Sequence, residues 1–231
     1  MISFLSRLID LIAPRACSVC GRRLVPGENV MCAACNRHLP RTHFEDDAYE
    51  NEMAQLFWGR IPIERAGALF FYHAQSEVSR MIYALKYGNH PEFGEQLGQM
   101  VAEEYLEKGF FQGIDFILPV PLSPSRQRQR GYNQSMEIAR GVSEVTKISI
   151  LKGAIKRTKF VESQTHKTRL SRAENVEDTF KVLDSSPILN KHILLIDDIV
   201  TTGATICACG QALQQSGKIY ISALSLGYSK D

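Results

Sequence analysis

The sequence contains no long uncharged apolar run. Its opening, MISFLSRLIDLIAP, has no basic stretch ahead of its apolar residues, and Arg7 and Asp10 interrupt them before Pro14 ends the segment. It therefore fits neither a secretory leader nor a membrane span. The expectation is a cytoplasmic protein without stable membrane insertion. Phe4, Leu5, Leu8, Ile9, Leu11 and Ile12 share one helical face, suited to docking on the protein's own body or on a partner or membrane surface. Net charge is nearly absent too, at +2, but that sum conceals two opposed regions. Residues 122–172 carry twelve Lys/Arg against three Asp/Glu, a balance of +9, which leaves −7 for the rest of the chain. A basic middle suits anions, unless it is simply a solvated face. With 231 residues, 44% of them hydrophobic, the chain can hold one ordinary domain and one small one.

Cysteine is sparse, and four of the six are concentrated near the start. Cys17, Cys20, Cys32 and Cys35 form two Cys-x-x-Cys knuckles eleven residues apart, a spacing that lets four thiolates close a tetrahedral shell around structural Zn²⁺. Such a shell leaves no open position for catalysis. Paired disulfides are the alternative, disfavoured in a reducing compartment. The segment is also poor in aromatic residues, so the metal would serve as its core. Zn²⁺ with four thiolates carries a net −2, which Arg15, Arg22, Arg23, Arg37 and Arg41 could offset; the same arginines could face nucleic acid. Cys207 and Cys209 have no partner knuckle and are expected as small core residues of a helix. The predicted division is an N-terminal helix and zinc module over 1–45, then an α/β domain over 46–231 with 60–110 as a cap.

The most constrained segment is KHILLIDDIVTTGATICACGQALQQSG, residues 191–217. It reads as a buried strand over His192–Ile196, a short polar loop, and a helix from about Ala204 to Gln215 ended by Gly217. Loops at the carboxyl ends of parallel strands bind ligands, and the free amides of a helix N-terminus receive phosphate. Thr201, Thr202, Gly203 and Thr205 suit that cradle. Asp197 and Asp198 would repel a bare phosphate, so they make sense facing ribose hydroxyls or bound Mg²⁺; together the pattern points to a sugar phosphate. An ordinary capped turn is the plainer alternative. A second strand, IDFILPVP at 114–121, leads through LSPSRQRQRGYNQ to a helix starting near Gln134. Arg126, Arg128 and Arg130 there could bind pyrophosphate by bidentate hydrogen bonds. Residues 157–172 read as a basic mobile loop. Lys86, from MIYALKYG, is a further candidate, with a surface lysine as its alternative.

ILLIDDIVTTGAT resembles the phosphoribosyl-pyrophosphate signature of type I phosphoribosyltransferases. With the cysteine module, RQRQRGYNQS at 126–135 and RLSRAENVEDTF at 169–180, the whole chain is similar to the ComF family, associated with natural competence and DNA uptake. The resemblance implies a parallel twisted sheet flanked by helices, with a hood, behind a zinc module. It implies that Asp197 and Asp198 are the catalytic pair on the ribose hydroxyls, and that Val200, Thr201, Thr202, Gly203, Ala204 and Thr205 hold the 5′-phosphate. Lys86, Arg126, Arg128, Arg130, Gly131, Tyr132, Asn133, Gln134, Arg169 and Arg172 would meet the pyrophosphate, which arrives with Mg²⁺. The RGYNQ turn departs from the Arg-Gly-Gly-type turn of many salvage enzymes, and after the signature only the strand IYISALSLGY follows, with no segment for selecting a nucleobase. The acceptor is left open, and single-stranded DNA and DNA-uptake proteins stand as alternative partners for the basic loops and the module.

Overall fold

The computed structural model describes residues 15–158 and 179–230. The expectations placed on the N-terminal helix, on most of the basic loop at 157–172, and on Arg169 and Arg172 fall outside those residues. Among the described residues, no helix is long and apolar enough to cross a membrane.

Five strands form one parallel sheet: β1 (Ile63–Tyr72), β2 (Phe116–Pro119), β3 (Ser149–Ile150), β6 (His192–Val200) and β7 (Tyr220–Ser229), in the order β1-β7-β6-β2-β3. The central strands are continuous apolar runs because both faces are covered; Ile193, Leu194, Leu195 and Ile196 have no exposed surface. The α/β class is as predicted. A second, antiparallel pair joins β4 (Ile155–Thr158) to β5 (Thr179–Val182). The helices are α1 (Ala33–His38), α2 (Glu52–Gln55), α3 (Glu77–Tyr87), α4 (Pro91–Leu106), α5 (Pro124–Arg130), α6 (Gln134–Thr146) and α7 (Ala204–Gln214).

The strand order determines where a ligand can sit. After β2 the chain turns through α6 to β3 at one edge, whereas after β6 it turns through α7 to β7 on the other side. The two connections leave in opposite directions, so a crevice opens between the carboxyl ends of β2 and β6, which are adjacent in register from Phe116 and Ile193 to Pro119 and Ile196.

Two expectations are corrected. The segment 60–110 is not a cap built apart from the sheet: it supplies β1, an edge strand hydrogen-bonded to β7, and the helices α3 and α4. Ala66, Ala68, Leu69 and Phe70 on that strand are fully buried, and this apolar run is what places it in the sheet. The segment carrying the three arginines is not a loop either. Ser123 accepts from the Arg126 amide, Pro124 stands at the first helical position, and Gly131 ends the turn in the left-handed region (φ 78°), so residues 124–130 wind into α5.

The edge of β1 is covered by the segment that leaves the cysteine module. The Thr42 amide bonds to Leu69 O and the Phe71 amide to Pro40 O. Arg41 lies over the Phe70 ring and pairs with Glu104 at 2.9 Å. Pairing and charge together protect an edge that would otherwise be open. The apolar residues from Cys17 to Tyr228 form one continuous core cluster.

Helices α4 and α6 cross closely. A Cβ on Gly141 would stand 1.9 Å from the Glu95 carbonyl oxygen, and one on Gly98 2.1 Å from that of Ile138. Only bare backbone fits there. Gly141→Ala should lower stability by about 3 kcal/mol through forced separation of the helices; an unchanged urea midpoint would contradict this packing.

Candidate functional site

Strand β6 runs four residues further than the sequence pattern indicates, to Val200, because its backbone stays paired with β7 through Val200 and Tyr228. Asp197 and Asp198 therefore stand on a strand rather than in a loop, at the switch point between β2 and β6. Asp197 Oδ1 accepts from the Ser135 hydroxyl at 3.2 Å and from the Asp198 amide at 2.9 Å. Burial, and then the neighbouring Asp198 charge, push its carboxyl up to about 7. Asp198 has a different environment. Its Oδ2 lies 3.2 Å from Lys86 Nζ and 3.8 Å from Arg130 Nη1, with all three side chains less than one-fifth exposed. Of two adjacent carboxylates, one is thus held between cations while the other has only neutral donors.

Beyond Val200, Thr201 and Thr202 are exposed, and Gly203 caps α7 in the left-handed region (φ 71°) without a side-chain hydrogen bond to the helix. The first-turn amides of α7 are left for another partner. An open pocket is lined by Asp197 and by the run from Ile199 to Ile206. The loop is braced from a distant part of the chain: Arg60 Nη1 donates to Thr202 O at 2.7 Å and to Leu56 O at 3.1 Å. A Cβ on Gly203 would come within 2.9 Å of the buried Phe57 ring. Neither Arg60 nor Phe57 was legible as a site residue, since 142 residues separate Arg60 from Thr202. Val200 is buried, so any contact it makes to a ligand is through its backbone.

The arginines divide. Arg130, on the last turn of α5, reaches Asp198, donates to Gln134 Oε1 at 2.7 Å, and lies 5.7 Å from the centre of the Tyr87 ring. Arg126 is exposed one turn back on the same helical face, and Arg128 is exposed but turned away by the helical repeat. Gly131, Tyr132 and Asn133 shape the turn between α5 and α6. The Tyr132 phenol donates to Leu85 O. Asn133 caps α6 through the Ser135 amide and donates to Val120 O at 3.1 Å, fastening the helix to the end of β2. Gln134 is wholly buried. Ser135, whose hydroxyl meets Asp197, lies inside the RGYNQS segment, yet nothing local distinguishes it from an ordinary helix-start serine.

The four cysteines converge. Their Sγ atoms all lie within 4.8 Å of one another, and Cys20 and Cys32 are 3.9 Å apart. A tetrahedron with metal–sulfur bonds of about 2.3 Å has edges of about 3.8 Å, whereas a disulfide needs about 2.05 Å. Burial works against ionising Cys17, but hydrogen bonds from the amides of Cys20, Cys32 and Val19 bring its thiol down to about 7. Burial and the other sulfurs push Cys35 up. A cluster that resists holding several thiolates by itself suits a divalent soft cation. Glu28 accepts from the amides of Val25 and Ala33 and so ties the two knuckles together. Of the arginines near the cluster, Arg22 faces Glu28 at 3.6 Å, and Arg41 joins the module to β1 and α4. Cys207 and Cys209 are buried in α7, as predicted.

The raised Asp197 carboxyl has a consequence for stability. An unfolded Asp releases its proton near about 3.9, whereas Asp197 in the fold holds its proton to about 7. Between those values the unfolded chain binds fewer protons, so this group makes stability fall as pH rises. Asp197→Asn should flatten the urea-midpoint profile between pH 4 and 7 and be more stable than the parent at pH 8. A variant profile parallel to the parent's would contradict the assigned burial.

No family model matches the chain. DNA utilization protein YhgH of Escherichia coli O157:H7 is 28% identical over 209 residues, 87% of this chain and 85% of that protein. Competence protein ComFC of Bacillus subtilis (strain 168) is 22% identical over 207 residues, 90% and 75% of the two chains. Competence protein F of Haemophilus influenzae is 30% identical over 102 residues, 44% of each. Among solved structures, adenine phosphoribosyltransferase from Leishmania tarentolae aligns with a TM-score of 0.40 at 13% identity, over 78% of this chain and 88% of that one; a likeness of that degree bears on neither ligand nor activity. Along most of its length the chain is similar to proteins named for DNA utilization and competence, in line with the resemblance that its motifs bear to the ComF family.

Proposed function

We propose that the crevice between β2 and β6 binds phosphoribosyl pyrophosphate, and that the protein is a phosphoribosyltransferase-type member of the DNA-uptake machinery working in the cytoplasm. One observation carries this reading: a carboxylate pair at the end of a buried strand runs directly into an uncapped helix start, and Lys86 and Arg130 oppose it. Carboxylates gain nothing from a simple phosphate or phosphodiester, but they accept hydrogen bonds from vicinal ribose hydroxyls. The amides and hydroxyls of Thr201 to Thr205 would hold the 5′-phosphate. Lys86 and Arg130 would exchange Asp198 for the pyrophosphate, and Arg126 on the same face would extend that contact. Mg²⁺ would enter on the pyrophosphate and lower its negative charge, since Asp198 already has cations beside it.

Turnover would join a nucleophile to C1′ as the bond to pyrophosphate breaks and the electron pair leaves with it. The chain's residues would act by holding the ribose through Asp197 and Asp198 and by stabilising charge on the leaving group. The cysteine module would hold structural Zn²⁺, which the sulfur geometry fits. The zinc module and the α/β body, divided near residue 45, would work as one unit.

A second reading, single-stranded DNA on the basic face, is favoured by Tyr83 and Tyr87. These rings are exposed and 4.7 Å apart, and Tyr87 lies against the Arg130 guanidinium, so they could stack bases beside phosphate-binding arginines.

Calorimetric titration of the zinc-loaded protein with phosphoribosyl pyrophosphate and Mg²⁺ separates the two. Micromolar affinity should be lost in Asp197→Ala/Asp198→Ala while single-stranded DNA affinity stays unchanged. Absence of pyrophosphate binding by folded protein, with salt-sensitive DNA binding lost in Tyr83→Ala/Tyr87→Ala, would replace the first reading by the second. One zinc per chain, absent in Cys32→Ser, checks the module.

A further inference from the structure

Helix α3 touches both the cysteine module and the ligand crevice. Near its start, Arg80 Nη1 donates to the carbonyl of Val19 at 3.0 Å. Val19 stands between Cys17 and Cys20, inside the first knuckle, and is itself buried. At the far end of the same helix, Lys86 reaches Asp198, Leu85 O takes the Tyr132 phenol, and Tyr87 receives the Arg130 guanidinium. Six residues of helix, about 9 Å at 1.5 Å per residue, separate the two ends.

An α-helix is stiff along its axis, so fixing one end limits sliding and rotation at the other. Val78, Met81, Ile82 and Leu85 pack the inner face of α3 into the core. Apolar packing sets its depth but resists axial shift less strictly than a directed hydrogen bond, because dispersion contacts are many, weak and non-directional. The Ser76 side chain, which accepts from the Ser79 amide, secures the helix start only against itself. Arg80 is the contact from the body of α3 to the knuckle backbone. Its carbonyl partner is held by the same turn that gathers the sulfurs, where the Gly21 amide closes on Cys17 O and the Cys17 amide on Arg22 O. The guanidinium also places a positive charge beside a cluster that carries net negative charge once four thiolates hold Zn²⁺.

We infer that Arg80 is a positioning residue through which the cysteine knuckle fixes α3, and with it Lys86, against Asp198. The module then serves the ligand site directly: closing the knuckle sets the carbonyl, the carbonyl sets Arg80, and the helix carries that register to the crevice. The inference builds on the proposed sugar-phosphate site, yet the helix itself provides a readout that needs no ligand.

The test uses the full zinc-loaded chain with Arg80→Ala, Arg80→Lys, and Arg37→Ala as a control on an exposed module arginine. Zinc content, amide hydrogen exchange over residues 77–87, and calorimetric affinity for phosphoribosyl pyrophosphate with Mg²⁺ are measured for each. Arg80→Ala should keep one zinc per chain, exchange several-fold faster over 77–87, and bind roughly five-fold more weakly, the order expected for losing one hydrogen bond. Arg80→Lys should recover part of both effects and Arg37→Ala should match the parent. Parent-like exchange and affinity in Arg80→Ala would overturn the inference, as would loss of zinc from that variant, which would make Arg80 a support of the metal site instead. Should the parent protein bind no phosphoribosyl pyrophosphate, the ligand assignment fails alone and the exchange over 77–87 still decides the role of Arg80.

Discussion

Two carboxylates on consecutive residues of a half-buried strand repel each other and lose hydration, and the surroundings of the crevice answer that cost. Asp198 is brought against Lys86 and Arg130, while Asp197 is left with a serine hydroxyl, an amide and a raised proton affinity. Such a pair is destabilising in a resting fold unless something is to be gained from it. The fold supplies the setting in which gain is possible: oppositely directed chain connections on either side of β2 and β6, and a helix start whose amides are unclaimed by a cap.

The parts that serve this pair come from widely separated segments. Arg130 stands on α5 because Ser123 and Pro124 start that helix and Gly131 stops it one residue later, so the guanidinium is delivered from a rigid turn. Lys86 arrives on α3, and Tyr132 and Asn133, between them, hold the α5–α6 turn to α3 and to the end of β2. Arg60 and Phe57 brace the loop after Val200 from the opposite flank. The cysteine cluster is joined to this body by Arg41 on one side and Arg80 on the other, so a module that looks autonomous in sequence is fastened to the helix that carries Lys86.

Much of this was legible in the sequence. The continuous apolar run His192–Ile196 followed by DDIVTTGAT marks a buried strand entering a helix, and the paired knuckles mark convergent sulfurs, since both signals are local and set by backbone geometry. Lys86 in MIYALKYG is a candidate on sequence, with a helix-surface lysine as its equal alternative. What escaped reading depends on tertiary contact. The strand runs on to Val200 because β7 pairs with it there, which polar residues at 197 and 198 conceal. Residues 60–110 look like a covering segment until the parallel pairing of Ile63–Tyr72 with β7 makes them part of the sheet. The arginines look like a loop because five of the seven residues between Ser123 and Gly131 are Arg or Gln on a solvated surface after Pro124, where no apolar periodicity reveals a helix. Arg60, Ser135 and Arg80 gave no signal, because each meets a partner more than sixty residues away.

The central claim is that the carboxylate pair, with Asp198 held by two cations, stands ready for the hydroxyls of a ribose. A crystal structure of the zinc-loaded protein with phosphoribosyl pyrophosphate and Mg²⁺ examines it most directly. The account predicts the ribose hydroxyls on Asp197 and Asp198, the 5′-phosphate against the amides of residues 201–205, and Lys86 and Arg130 moved from Asp198 to the pyrophosphate. Ligand density elsewhere, or a ligand bound in the crevice with both cations still on Asp198, would contradict it.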